Sequence, residues 1–132
     1  SVQCFDASGA ADSDFSLSVY ADQPVFQTTQ ARSRSEVLAY AWLDQPTAAS
    51  YTPYAPLTSN LGRVVQVSRS GPGQYSATFS GLNLGLGVLH TTPTSPDMHC
   101  NVSSASGAAA TVRCYNLAGV LTDATLLLSL TR

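Results

Sequence analysis

The 132-residue chain is 44% hydrophobic but only 11% charged, with a net charge of −2. At that length a single core can bury roughly two-thirds of the unfolded surface, and a near-neutral chain whose polarity comes from Ser, Thr, Asn and Gln does not have the composition of a disordered one. All six basic residues are Arg (Arg32, Arg34, Arg63, Arg69, Arg113 and Arg132), spread without a stripe, which argues against a nucleic-acid partner.

In chain order, apolar and polar residues alternate with a period of two, and turn residues recur at short intervals, the pattern of antiparallel sheets with one wet face. Nine strands are expected: Val2 to Asp6, Phe15 to Tyr20, Glu36 to Leu43, Arg63 to Arg69, Gln74 to Ser80, Leu84 to Thr91, Met98 to Ser103, Ala110 to Tyr115 and Thr125 to Leu130. The only stretch with helical composition, Gln30 to Leu43, also alternates, and a strand is the better reading. The expected fold class is all-β, an antiparallel β-sandwich, with a jelly roll as one form it could take. No segment reaches the roughly 18 consecutive apolar residues of a membrane span, so no membrane insertion is expected. The chain opens without a leader-like stretch, so a leader is expected to have been removed or to lie upstream.

Two hairpins are legible. Val64 to Arg69 and Gln74 to Phe79 flank Ser70-Gly71-Pro72-Gly73, whose glycines can take the positive φ of a tight turn. Met98 to Ser103 and Ala110 to Tyr115 flank a loop holding Gly107. Pairing centred on Gly107 sets residues whose numbers sum to 214 opposite one another, and Cys100 and Cys114 satisfy that sum. A Cys100 to Cys114 disulfide is therefore expected, and with it an oxidising, extracellular compartment. Three reduced, buried thiols in a cytosolic protein are the alternative.

The chain also repeats itself. Val2-Gln3-Cys4-Phe5-Asp6-Ala7-Ser8-Gly9 matches Val112-Arg113-Cys114-Tyr115-Asn116-Leu117-Ala118-Gly119 at a shift of 110. After one extra residue in the later copy, Asp12 to Val19 lies over Asp123 to Leu130. Residues 1–20 then read as the closing strands of a preceding unit and residues 30–132 as a complete one. On that reading Cys4 is unpaired within the chain, or bonded outside it.

Cys114-Tyr-Asn-Leu-Ala-Gly119 with Asp123 resembles the R-C-F-D-x-x-G-x-x-x-D-S-x-F ending of repeat units in secreted bacterial proteins of unknown function. Tyr40-Ala-Trp-Leu-Asp-Gln-Pro-Thr-Ala-Ala-Ser-Tyr51 and Arg69-Ser-Gly-Pro-Gly-Gln-Tyr-Ser-Ala-Thr-Phe79 look like two further signatures of the same units. Together they cover about half of the chain. A more distant resemblance, through Gly73-Gln-Tyr-Ser-Ala-Thr-Phe79, is to the jelly-roll C-terminal domains of tail-fibre-like proteins. The resemblance implies a secreted β module and brings no catalytic residues with it.

Candidate sites are few. The only histidines are His90 and His99, and no Gly-x-Ser-x-Gly elbow accompanies them, so no catalytic residue and no enzymatic activity is expected. His90, Asp97, His99 and Cys100 lie close in sequence without the spacing of a zinc site, and Asp6, Ser8, Asp12 and Asp14 read as turn formers rather than calcium ligands; no metal and no cofactor is expected. Asn101-Val102-Ser103 fits the N-glycosylation pattern. The aromatic residues are the better binding candidates, because a ring face can cover the C–H patch of a sugar. Tyr51 and Tyr54, beside Pro53 and Pro56, are expected to be the exposed pair. Trp42 shares a strand face with Leu38 and Tyr40, a face expected to be core. The function expected is a structural or adhesive repeat module outside the cell. The alternative is a carbohydrate- or other ligand-binding module using Tyr51, Tyr54 and Trp42. Expected partners are neighbouring units of the same protein, a cell-surface polysaccharide and further copies in a homo-oligomer.

Overall fold

A computed structural model describes residues 5–6, 9–10, 37–54, 58–59 and 63–131. Its strands are β1 (Phe5–Asp6), β2 (Gly9–Ala10), β3 (Val37–Leu43), β4 (Ser50–Tyr51), β5 (Thr58–Ser59), β6 (Val65–Gly71), β7 (Gln74–Phe79), β8 (Val88–Pro93), β9 (Met98–Ser106), β10 (Ala109–Asn116) and β11 (Leu126–Thr131). β1 pairs with β2, and the other nine form a five-stranded sheet in the order β4-β6-β7-β10-β9 and a four-stranded sheet in the order β5-β3-β11-β8. Every pairing is antiparallel. The protein is an all-β sandwich. The β6–β7 and β9–β10 hairpins stay within the five-stranded sheet, whereas from β3 onward every other connection passes from one sheet to the other.

The period-two pattern sets the core. On β7 the residues Tyr75, Ala77 and Phe79 point inward, as do Leu126, Leu128 and Leu130 on β11 and Ala110, Val112 and Cys114 on β10, all at most 1% exposed. Burying each large apolar side chain contributes roughly 1.5–3 kcal/mol. At one edge the sheets are tied by the Thr91 hydroxyl, which donates to the Cys100 carbonyl at 2.8 Å.

Three sequence expectations change. Ala39, Ala41 and Leu43 fill the interior, so Tyr40 and Trp42 stand on the outer face of the four-stranded sheet, where Trp42 is half-buried. Tyr40 is nevertheless 5% exposed. The expected strand from Leu84 begins instead as a 3-10 turn, Leu84–Leu86, because the Asn83 carboxamide oxygen accepts from the Gly85 N–H and holds the chain in a turn. The Pro-rich stretch after Gln45, read as a loop, supplies β4 and β5 as short additions to the two sheets. The expected Phe15 to Tyr20 strand and Cys4 lie outside the described residues.

Candidate functional site

The three aromatic candidates do not converge. Tyr51 pairs with Val67 on the inward face of the five-stranded sheet and is 8% exposed, so it belongs to the core and not to an exposed pair. Its hydroxyl accepts from the Gln45 N–H at 3.4 Å, and burial pushes its pKa up to about 12. The sequence missed this because a Tyr between prolines looks exposed, while its pairing with β6 is a long-range event. Tyr54 is 56% exposed. Trp42 lies opposite Leu127 on the other sheet.

Cys100 and Cys114 are bonded, with an S–S distance of 2.04 Å across directly paired positions of β9 and β10. The expected register holds at that end. Near the turn the sum becomes 215, as in Ala110 opposite Ala105, and a bulge beside Thr111 and Val112 absorbs the difference. A bulge places two residues of one strand against one of the other, so the side-chain faces stay aligned on both sides of it.

Because Cys114 points inward, its neighbours point out. Tyr115 opposes His99 and Arg113 opposes Asn101 on the outer face. The Tyr115 and His99 rings stack, with centroids 5.2 Å apart and planes 15° apart. Gln74 extends the second row onto β7, and a third row runs across the whole sheet as Ser50, Ser68, Ser76, Thr111 and Ser104. His90, opposite Ser129, lies on the outer face of the other sheet, so the fold sets the two histidines on opposite sides of the sandwich. Cys100 is committed to the disulfide. Among the described residues no three His, Cys, Asp or Glu side chains gather as a metal site, and Asp12 and Asp14 fall outside them.

Among the described residues, the most densely bonded polar cluster is one the sequence did not single out. Asp123, in the segment before β11, accepts from Arg69 Nε at 2.9 Å and Arg69 Nη2 at 2.7 Å, from the Gly73 N–H at 2.8 Å and from the Tyr75 hydroxyl at 3.1 Å. The Tyr75 oxygen in turn accepts from the Ala124 N–H at 3.0 Å. The Arg69 hydrogen bonds hold the Asp123 carboxyl below its ordinary range, and Asp123 raises Arg69. Burial pushes the Tyr75 phenol up to about 12. A bidentate carboxylate supplied with further donors fixes geometry as well as adding energy. It clamps the β6–β7 turn onto the β10–β11 connection. The available signal was that both halves lie in segments whose sequences resemble repeat-unit signatures, Arg69 to Tyr75 in one and Asp123 in the other.

No protein-family model matches the chain, and no curated protein or solved structure matches it.

Proposed function

We propose that this chain is a non-catalytic extracellular module of a tandem array, serving structure or adhesion. The observation that carries the reading is a shared turn. β1 and β2 pair Phe5 with Ala10 and Asp6 with Gly9. In the later copy Tyr115 bridges to Leu121, and the Gly119 N–H donates to the Asn116 carbonyl. Shifted by 110, Phe5 and Ala10 correspond to 115 and 120, and the one extra residue in the later copy accounts for the bridge falling at 121. A motif that repeats in sequence and again in local pairing is what a repeated unit produces.

Three further facts agree with this. The nine strands of the five-stranded and four-stranded sheets lie between Val37 and Thr131, within the segment read as one complete unit. The signature residues Arg69, Tyr75 and Asp123 are spent on one another, and Tyr51 on the core, so the motif maintains the fold. The disulfide is of a kind that persists in oxidising compartments, and none of the helices described is long and apolar enough to cross a membrane.

A concatemer tests the reading: residues 1–132 followed by a second copy of residues 22–132, because the extra residue of the later copy makes Arg132 the counterpart of Ala21. The expected product has two hairpin disulfides, twice the folded signal in circular dichroism, and a melting temperature no lower than that of the single chain. An unfolded or aggregating second period would sink the proposal.

A further inference from the structure

We infer that the outer face of β9 and β10, around His99, Tyr115, Asn101 and Arg113, is a binding site for a carboxylate-bearing polysaccharide. The site lies on the opposite sheet from Trp42, and it does not depend on the existence of an array.

The chemistry comes from three adjacent elements. First, the His99–Tyr115 stack presents a flat aromatic surface, 15° from coplanar, and β9 is an edge strand among the described residues, so no further described strand of that sheet covers the histidine side. A pyranose ring can lay its C–H face there, with the phenol hydroxyl at the rim as a polar handle. Second, Arg113 and Asn101 project from the same face two residues along, about 7 Å at the rise of an antiparallel strand. Arg113 is exposed, and no carboxylate of a described residue lies within ion-pair distance of it. A guanidinium fork matches a carboxylate in two parallel hydrogen bonds, and about 7 Å is within reach of a sugar carboxylate or of the next residue along a chain. Third, Gln74 and the hydroxyl row from Ser50 to Ser104 continue the face with neutral donors and acceptors, suited to sugar hydroxyls.

The disulfide gives the arrangement its rigidity. Cys100 and Cys114 lie on the inner face between the two outward pairs, His99–Tyr115 and Asn101–Arg113. A covalent staple directly beneath the two rows fixes their spacing before the ligand arrives, which lowers the ordering cost of binding. A single arginine among neutral groups selects one carboxylate per site rather than a dense polyanion, since strong polyanion binding requires several cations acting together.

Affinity electrophoresis of the oxidised 132-residue protein tests this, with polygalacturonate, neutral dextran or dextran sulfate in the gel. Retardation by polygalacturonate, little by dextran, and at least tenfold weaker retention for Arg113→Gln and for His99→Ala, both with unchanged melting temperatures, are expected. Arg63→Gln, which removes the same charge elsewhere, should bind as the parent does. The proposal is overturned if polygalacturonate does not retard the protein, if dextran or dextran sulfate retards it equally, if Arg63→Gln weakens binding as much as Arg113→Gln, or if Tyr54→Ala abolishes it while Arg113→Gln does not. Failure here leaves the concatemer result untouched, and the reverse holds as well.

Discussion

Arg69 and Asp123, 54 residues apart in sequence, meet through two parallel hydrogen bonds of 2.9 and 2.7 Å. The same carboxylate also takes the Gly73 N–H and the Tyr75 hydroxyl. One side chain thus joins the tight turn of a hairpin to the segment that enters the last strand, and its loss leaves several donors without acceptors.

Asp123→Ala is expected to destabilise the fold by roughly 1–3 kcal/mol, the usual consequence of stranding part-buried donors, measured by urea unfolding. The pH dependence has a definite sign. Asp123 has a lowered pKa in the fold, so its contribution is complete above the unfolded carboxylate value of about 3.9 and is lost as the pH falls through the folded value. The parent melting temperature should therefore fall below about pH 4 more steeply than that of Asp123→Asn; parallel curves would refute the assignment.

Gly73 and Gly107 separate two reasons for a glycine. Both have positive φ, +63° and +54°. A Cβ on Gly73 would sit 2.4 Å from the Cys114 carbonyl oxygen and 2.7 Å from the Thr122 nitrogen, whereas on Gly107 it would meet nothing within 4 Å. Gly107→Ala should cost about 1 kcal/mol, the left-handed penalty alone. Gly73→Ala adds a backbone clash at the clamp and should cost at least twice that in chemical denaturation.

Reduction of Cys100–Cys114, which closes a loop with a sequence separation of 14, should lower stability by about 3 kcal/mol from loop-closure entropy. Mass spectrometry after alkylation without reductant should label Cys4 alone, the cysteine that the proposed array leaves without a partner in this chain.

Among the described tyrosines, Tyr51 and Tyr75 should titrate late. Tyr51 and Tyr75 are raised to about 12, so absorbance near 295 nm should show a delayed phase of about two phenols. A phenol raised in the fold contributes stability that is complete below its unfolded pKa, about 10, and is lost as the pH climbs toward the folded value. Tyr75→Phe should abolish part of that phase and weaken the fold at neutral pH by about 1 kcal/mol through its lost hydrogen bonds.

Removing residues 1–20 should leave a soluble, disulfide-bonded protein with the circular dichroism of a β-sandwich. An insoluble truncation would mean that the first strands belong to the same sandwich.

The sequence by itself determined the fold class, the two hairpins and the disulfide. These are local facts: alternation marks a face whatever lies across from it, and hairpin partners are bound to each other by a turn of two or three residues. Cys100 and Cys114 could be paired by counting outward from Gly107. The reading failed where a residue's surroundings come from distant chain. Tyr51 looked exposed until β6 paired beside it, and the face of β3 carrying Tyr40 and Trp42 could not be told from the one carrying Ala39 and Ala41, because both hold apolar residues and only the position of the second sheet chooses between them. The Arg69–Asp123 clamp and the His99–Tyr115 face were likewise decided by tertiary structure. The clamp joins residues 54 positions apart, and the stack exists because the inward direction of Cys114 compels its neighbours outward.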